Sequence, residues 1–94
     1  MTKVAYNDCF GGFGLSSLAE ALYLNYSGKE YNTYECPRHD PILIRVIEQL
    51  GQLASGQFAK LEISEVEGNK YLIKEYDGKE TILEPEDLQW ITIE

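Results

Sequence analysis

The hydrophobic period of this chain changes once, and that change limits the fold more than any other feature. After a short opening strand, apolar residues recur at helical spacing through about residue 54; beyond residue 60 they alternate with polar ones. A chain that is helical first and stranded later folds as an α+β domain, its helices and antiparallel strands segregated along the sequence. The expected order is a short N-terminal strand, a glycine-rich loop, two helices, then an antiparallel β-meander of three to four strands. Ninety-four residues suit one domain over 1–94, because halving them would leave neither part a sufficient core. Area scaling for that mass buries roughly 64% of the chain's surface, a modest core that a homodimer or higher homo-oligomer would supplement.

Local signals place the elements. Val4, Ala5 and Tyr6 form the first strand, which Asn7 and Asp8 end. A helix begins near Ser16 or Ser17, where Ser17 and Glu20 have capping-box spacing; Leu18, Ala21, Leu22 and Tyr26 are its expected apolar face, and Gly28 its stop. The second helix starts at Asp40-Pro41, an N-cap acceptor followed by a residue with no N–H to leave unpaired. Leu43, Val46, Ile47, Leu50 and Leu53 or Ala54 form its buried stripe, with Gly56 as the expected terminator. Strands follow at 61–66 and 71–76, the second ending in Asp77-Gly78, a two-residue hairpin signal. Thr81 to Leu83 continue the pairing, and Leu88 to Ile93 are expected as a last strand.

Charge and composition exclude several functions. The formal charge is −8, which opposes direct DNA or RNA binding through phosphate neutralisation. Hydrophobic residues at 44% and aromatics at 12% exclude a disordered acidic tail. No apolar stretch approaches the roughly 20 residues of a membrane span, and the polar N-terminus is no secretory signal, so a cytoplasmic location is expected. Cys9 and Cys36 are too few for a disulfide framework and read as reduced thiols, with one bridge left open.

The segment with the most chemistry is Cys9-Phe10-Gly11-Gly12-Phe13-Gly14, running from a strand into a capped helix start near Ser16 or Ser17. Glycines let a ligand approach the main chain, and a helix N-terminus offers unpaired N–H donors to an anion. The segment matches neither the dinucleotide fingerprint nor the Walker sequence, and a tight turn carrying Phe10 and Phe13 into the core would explain it equally. Arg38, beside the second helix start, suits bidentate phosphate contact, and Tyr31 and Tyr34 with the two phenylalanines suit stacking on a base. Together these residues point to a nucleotide-like small molecule held without a cofactor or metal. Cys36-x-x-His39 with Cys9 makes only three of four zinc positions, and a thiol enzyme would pair nucleophilic Cys9 with His39. The acidic C-terminal third reads as a solvated face, or as a DNA-mimic surface or a docking face for a basic partner protein.

The string Asn7-Asp8-Cys9-Phe10-Gly11-Gly12-Phe13-Gly14-Leu15-Ser16 resembles a signature, N-x-C-[FY]-G-G-F-G-L-S, of small bacteriophage proteins. Arg38-His39-Asp40-Pro41, Ala59-Lys60-Leu61 and Glu75-Tyr76-Asp77-Gly78-Lys79-Glu80 fit the same family and follow in the same order. That family has no established activity, so the resemblance implies a phage source and a host bacterial cytoplasm rather than a chemistry. Its pattern carries a variable residue between the Arg and the Asp-Pro, which implies that His39 is no shared catalytic group. By analogy, phage proteins of this size act against host defence. The expected role is therefore a non-enzymatic sponge that sequesters a nucleotide immune signal. The alternative is an interaction inhibitor of a host enzyme that uses the acidic and tyrosine-rich surface.

Overall fold

The computed structural model describes residues 2–85; the strand expected at 88–93 lies outside them. Strand β1 (Thr2–Asn7) is followed by helix α1 (Ser17–Ser27), helix α2 (Pro41–Leu50) and a 3-10 turn (Gly51–Ala54). Strands β2 (Leu61–Val66), β3 (Leu72–Tyr76) and β4 (Lys79–Leu83) complete the order. The α+β class holds, with one departure in topology. The strands form two antiparallel pairs, β1 with β2 and β3 with β4, rather than one meander. β2 runs against β1 in the register Thr2↔Val66 to Asn7↔Leu61. Five residues separate β2 from β3, too many to impose a tight hairpin. Pairing with β1 lets Ala5 and Leu61 join one core with the helices.

Helix α2 lies against β1 and β2, and α1 packs on α2 and the 3-10 turn. That core holds Ala5 and Leu61 with Ala19 and Tyr23 of α1, Leu43, Ile44, Val46 and Ile47 of α2, and Leu15 and Ala54 between elements. α2 starts as expected: Asp40 accepts the Leu43 N–H through its side chain, with Pro41 at the first helical position. It ends earlier than expected, at Gly51, whose φ of +59° breaks the helix while its N–H still reaches the Ile47 carbonyl. Gly56 serves another purpose, donating its N–H to the Gly14 carbonyl at 2.9 Å.

α1 departs further from expectation. Its cap is Ser16, which accepts the Ala19 N–H at 3.1 Å, so the Ser17–Glu20 box does not form. Gly28 ends it in the left-handed region at φ +78°, as expected. The buried face is Ala19 and Tyr23, with Leu22 and Tyr26 partly buried against the core, while Leu18 and Ala21 stay exposed. Apolar residues surround nearly the whole of this helix, so their spacing did not select a face.

The β3–β4 hairpin turns at Asp77-Gly78, with φ of +50° and +87°. Two positive φ angles make the turn whose twist suits a two-residue hairpin.

Candidate functional site

The glycine-rich loop is held in place by a buried polar knot. Asn7, fully buried, donates its side-chain N–H groups to the carbonyls of Cys9 (2.9 Å) and Gly78 (2.8 Å). Its Oδ1 accepts the Lys60 N–H at 2.7 Å, and its own backbone N–H donates to Glu80 Oε1 at 2.9 Å. Glu80, 8% exposed, receives the Arg38 guanidinium through both oxygens at 2.6 and 2.9 Å. The guanidinium plane lies 3.6 Å from the Phe13 ring centroid, and Nη1 also approaches the Ala5 carbonyl at 3.5 Å. The Ala5 N–H donates to the Arg38 carbonyl at 2.8 Å. Arg38 and Glu80 thus satisfy the outer edge of β1 and fasten the second sheet to the first. No buried side-chain polar atom among the described residues lacks a partner, as a stable polar network requires.

This knot reassigns several residues. Arg38, expected as an anion ligand, pairs with Glu80, and the Phe13 ring lies against its guanidinium. The Gly12 N–H donates to the Phe58 carbonyl at 3.1 Å, and the Gly14 carbonyl takes up the Gly56 N–H. Gly11 is needed for a close approach: a Cβ there would lie 1.9 Å from the Phe58 carbonyl oxygen. Gly78 is needed on its other side, where a Cβ would lie 2.1 Å from the Gly11 oxygen. Gly12 faces open space. Ser16, besides capping α1, donates its hydroxyl to the Leu53 carbonyl at 2.6 Å.

The aromatic residues separate into groups. Tyr31 packs edge-on against Tyr23 at 5.3 Å beside the core, and burial raises its phenol pKa. Tyr34 is 96% exposed on the connection before α2. Phe10 stands 69% exposed at the loop tip, edge-on to Tyr76 at 6.4 Å, with the Lys79 ammonium 5.5 Å from its ring centroid. Phe58, whose carbonyl receives both the Gly12 N–H and, at 3.4 Å, the Cys9 thiol, is 71% exposed beside it; Tyr76 is 72% exposed. The loop therefore carries an aromatic corner on pinned backbone. Four cavities among the described residues, of about 440, 240, 230 and 120 Å³, are lined by residues outside 9–16.

The thiols and the histidine have separate partners. Cys9 Sγ approaches Asn7 Oδ1 at 3.5 Å, whereas His39 Nδ1 meets the Tyr71 hydroxyl at 2.7 Å. Cys36 contacts the Tyr23 hydroxyl at 3.6 Å; burial pushes its thiol pKa up. Both cysteines are free. No group of three or more His, Cys, Asp or Glu among the described residues is placed to hold a metal, and no helix among them is long and apolar enough to cross a membrane.

Sequence reasoning missed Asn7, Phe58, Tyr76, Lys79 and Glu80 as parts of this region. One signal does lie in the sequence. In a chain that is 26% charged, Glu20 is the lone charge between residues 9 and 28, and residues 49–59 carry none. These two stretches touch through the Leu15–Ser55 bridge, the Ser16 N–H on the Ala54 carbonyl, and the Gly14–Gly56 and Gly12–Phe58 bonds. Comparison with protein-family models, curated proteins and solved structures gives no match for this chain.

Proposed function

We propose that this chain is a non-enzymatic binding protein that engages another protein through the aromatic corner of its glycine-rich loop. One observation carries this reading: Phe10, Phe58 and Tyr76 are 69, 71 and 72% exposed around backbone that the polar knot holds still. Large aromatic side chains on rigid backbone lose little freedom when covered, which is what interface anchors need. The charge of −8 steers the chain toward a basic partner. In the bacteriophage setting that the loop signature resembles, the partner is a host protein and the outcome is its inhibition.

A nucleotide sponge is the second reading, and Lys79 beside the Phe10 ring favours it. A cation next to an exposed aromatic face offers a phosphate and a base their separate contacts. Arg38, the Gly12 N–H and Lys79 all have internal partners, Lys79 lying 4.0 Å from the Asp8 carboxylate.

The test compares the wild-type chain with Phe10→Asp, an exposed change that leaves the knot intact. Bacterial lysate is passed over each, and each is screened by thermal shift against linear and cyclic nucleotides. Expected is a discrete protein retained by wild type, lost with Phe10→Asp, and no nucleotide shift. Equal retention by Phe10→Asp removes the corner from the mechanism. A nucleotide-induced rise in Tm that disappears in Lys79→Ala replaces the protein partner with a nucleotide.

A further inference from the structure

The two outer edges of the β1–β2 pair end differently. In the facing pairs Lys3↔Glu65, Ala5↔Ile63 and Asn7↔Leu61 the backbone groups point away from the opposite strand. On β1 these groups are taken up: the Ala5 N–H reaches the Arg38 carbonyl and the Asn7 N–H reaches Glu80. The same alternation turns the N–H and C=O groups of Leu61, Ile63 and Glu65 outward from β2. Leu61 is satisfied there, its N–H by the Ser55 hydroxyl at 3.0 Å and its carbonyl by the Gln52 side-chain amide at 3.3 Å. Ile63 and Glu65 meet no such partner among the described residues. The strand itself is firmly seated, because Leu61 and Val66 at its two ends are buried.

We propose that this open edge takes an extended segment of a partner protein, added antiparallel as a third strand, with basic side chains facing Glu62 and Glu65. Unpaired edge backbone calls for an extended occupant whatever its sequence. The side chains then set its charge. Glu62 and Glu65 project from opposite faces of β2, and neither lies within ion-pair distance of a cation among the described residues. Lys3, across from Glu65, is engaged by Glu48 at 2.6 Å. Facing residues of an antiparallel pair share a face. The occupant therefore carries lysine or arginine at two positions three apart, with an apolar residue just before the second to face Ile63.

Charge favours this occupant over two others. A second copy pairing edge to edge would gather the Glu62 and Glu65 carboxylates of both chains on one short ladder, and each chain carries −8. Residues Leu88-Gln89-Trp90-Ile91-Thr92-Ile93 of the same chain offer no cation and are bracketed by Glu86, Asp87 and Glu94. A basic strand gains both the backbone bonds and the two carboxylates. The edge uses none of the aromatic corner's side chains.

The test is an NMR titration of the isotope-labelled full chain, with amide exchange, against the end-blocked peptide threonine-lysine-threonine-valine-lysine-threonine. The Ile63 and Glu65 amide signals should shift, and both protons should exchange more slowly in the complex. Glutamate in place of both lysines should abolish the response. So should N-methyl groups on the lysine facing Glu65 and the valine facing Ile63, a control that leaves the protein unaltered. Glu62→Lys/Glu65→Lys should weaken the lysine peptide by roughly 10-fold or more and admit the glutamate one. The Glu65 side chain is exposed and its N–H points outward, so Glu65→Pro breaks no bond to β1 and should lose the binding that Glu65→Ala keeps in part. Equal binding by the N-methylated peptide, or shifts confined to other residues, overturns the proposal. So does the absence of any response at millimolar peptide. Ile63 and Glu65 amides already slow to exchange in the free chain overturn it too, since the edge would then be filled by this chain or a second copy.

Discussion

Replacing Glu80 by alanine removes the acceptor on which Arg38 and the Asn7 N–H both depend. The change leaves a guanidinium whose side chain is 19% exposed, and a donor on a fully buried residue. Truncating one partner of a buried ion pair costs roughly 3–5 kcal/mol, and stranding a buried N–H costs about 1–3 kcal/mol. Arg38 retains some access to water, so its share falls to about 2 kcal/mol, and with about 1 kcal/mol for the Asn7 N–H the total is about 3 kcal/mol. For a domain of this size that is a fall in Tm of roughly 12–24 °C. Glu80→Gln keeps one oxygen for the Asn7 N–H and should lose about half as much. Arg38→Met keeps the alkyl stem near Phe13 while removing the charge. In urea unfolding, the double variant Glu80→Ala/Arg38→Met should be more stable than the sum of the single losses, by at least about 1.5 kcal/mol. A Glu80→Ala loss under about 1 kcal/mol, or strict additivity, would refute the knot. It would also return Arg38 to the pool of groups free for an anionic ligand.

The loop glycines should behave differently from one another. Gly12→Ala meets open space and should change stability by no more than about 1 kcal/mol in either direction. Gly78→Ala combines φ +87° with a contact on Gly11 and should cost more than about 2 kcal/mol, measured by thermal or urea unfolding. If the two prove equal, the close packing of loop and hairpin is wrong. Stability should also fall in alkali. Burial raises the Cys36 thiol above its ordinary 9.0 and the phenols of Tyr6, Tyr23, Tyr31 and Tyr71 above 10.0. These groups favour the protonated folded state, so their contribution is complete below pH 9 and is lost as pH rises through the folded-state values. Urea midpoints taken from pH 8 to 10.5 should therefore fall with pH, less so in Tyr23→Phe; a flat profile would contradict the burial.

Features decided by a few adjacent residues were legible before any coordinates. Asp40-Pro41 starts α2 and Gly28 ends α1, because caps and left-handed stops are properties of one turn of chain. Asp77-Gly78 forms the hairpin for the same reason. The stripe of α2 was readable because its polar and apolar residues fall on opposite sides. α1 has almost no polar side, so which of its residues went inward depended on what packed against it. The candidate site was legible as a location, the loop at 9–14, but not as a set of contacts.

The sequence by itself determined the α+β class, both helix starts to within a residue and the tight hairpin. It also set two stretches nearly free of charge, 9–28 and 49–59. The tertiary structure decided that β2 pairs with β1, that Arg38 pairs with Glu80, and that Asn7 joins the loop to Gly78. Each of these contacts links residues 42 or more positions apart. Local propensity carries no information over that distance. Bringing such groups together depends on the core closing first, after which every buried donor must find whatever acceptor the closed core presents.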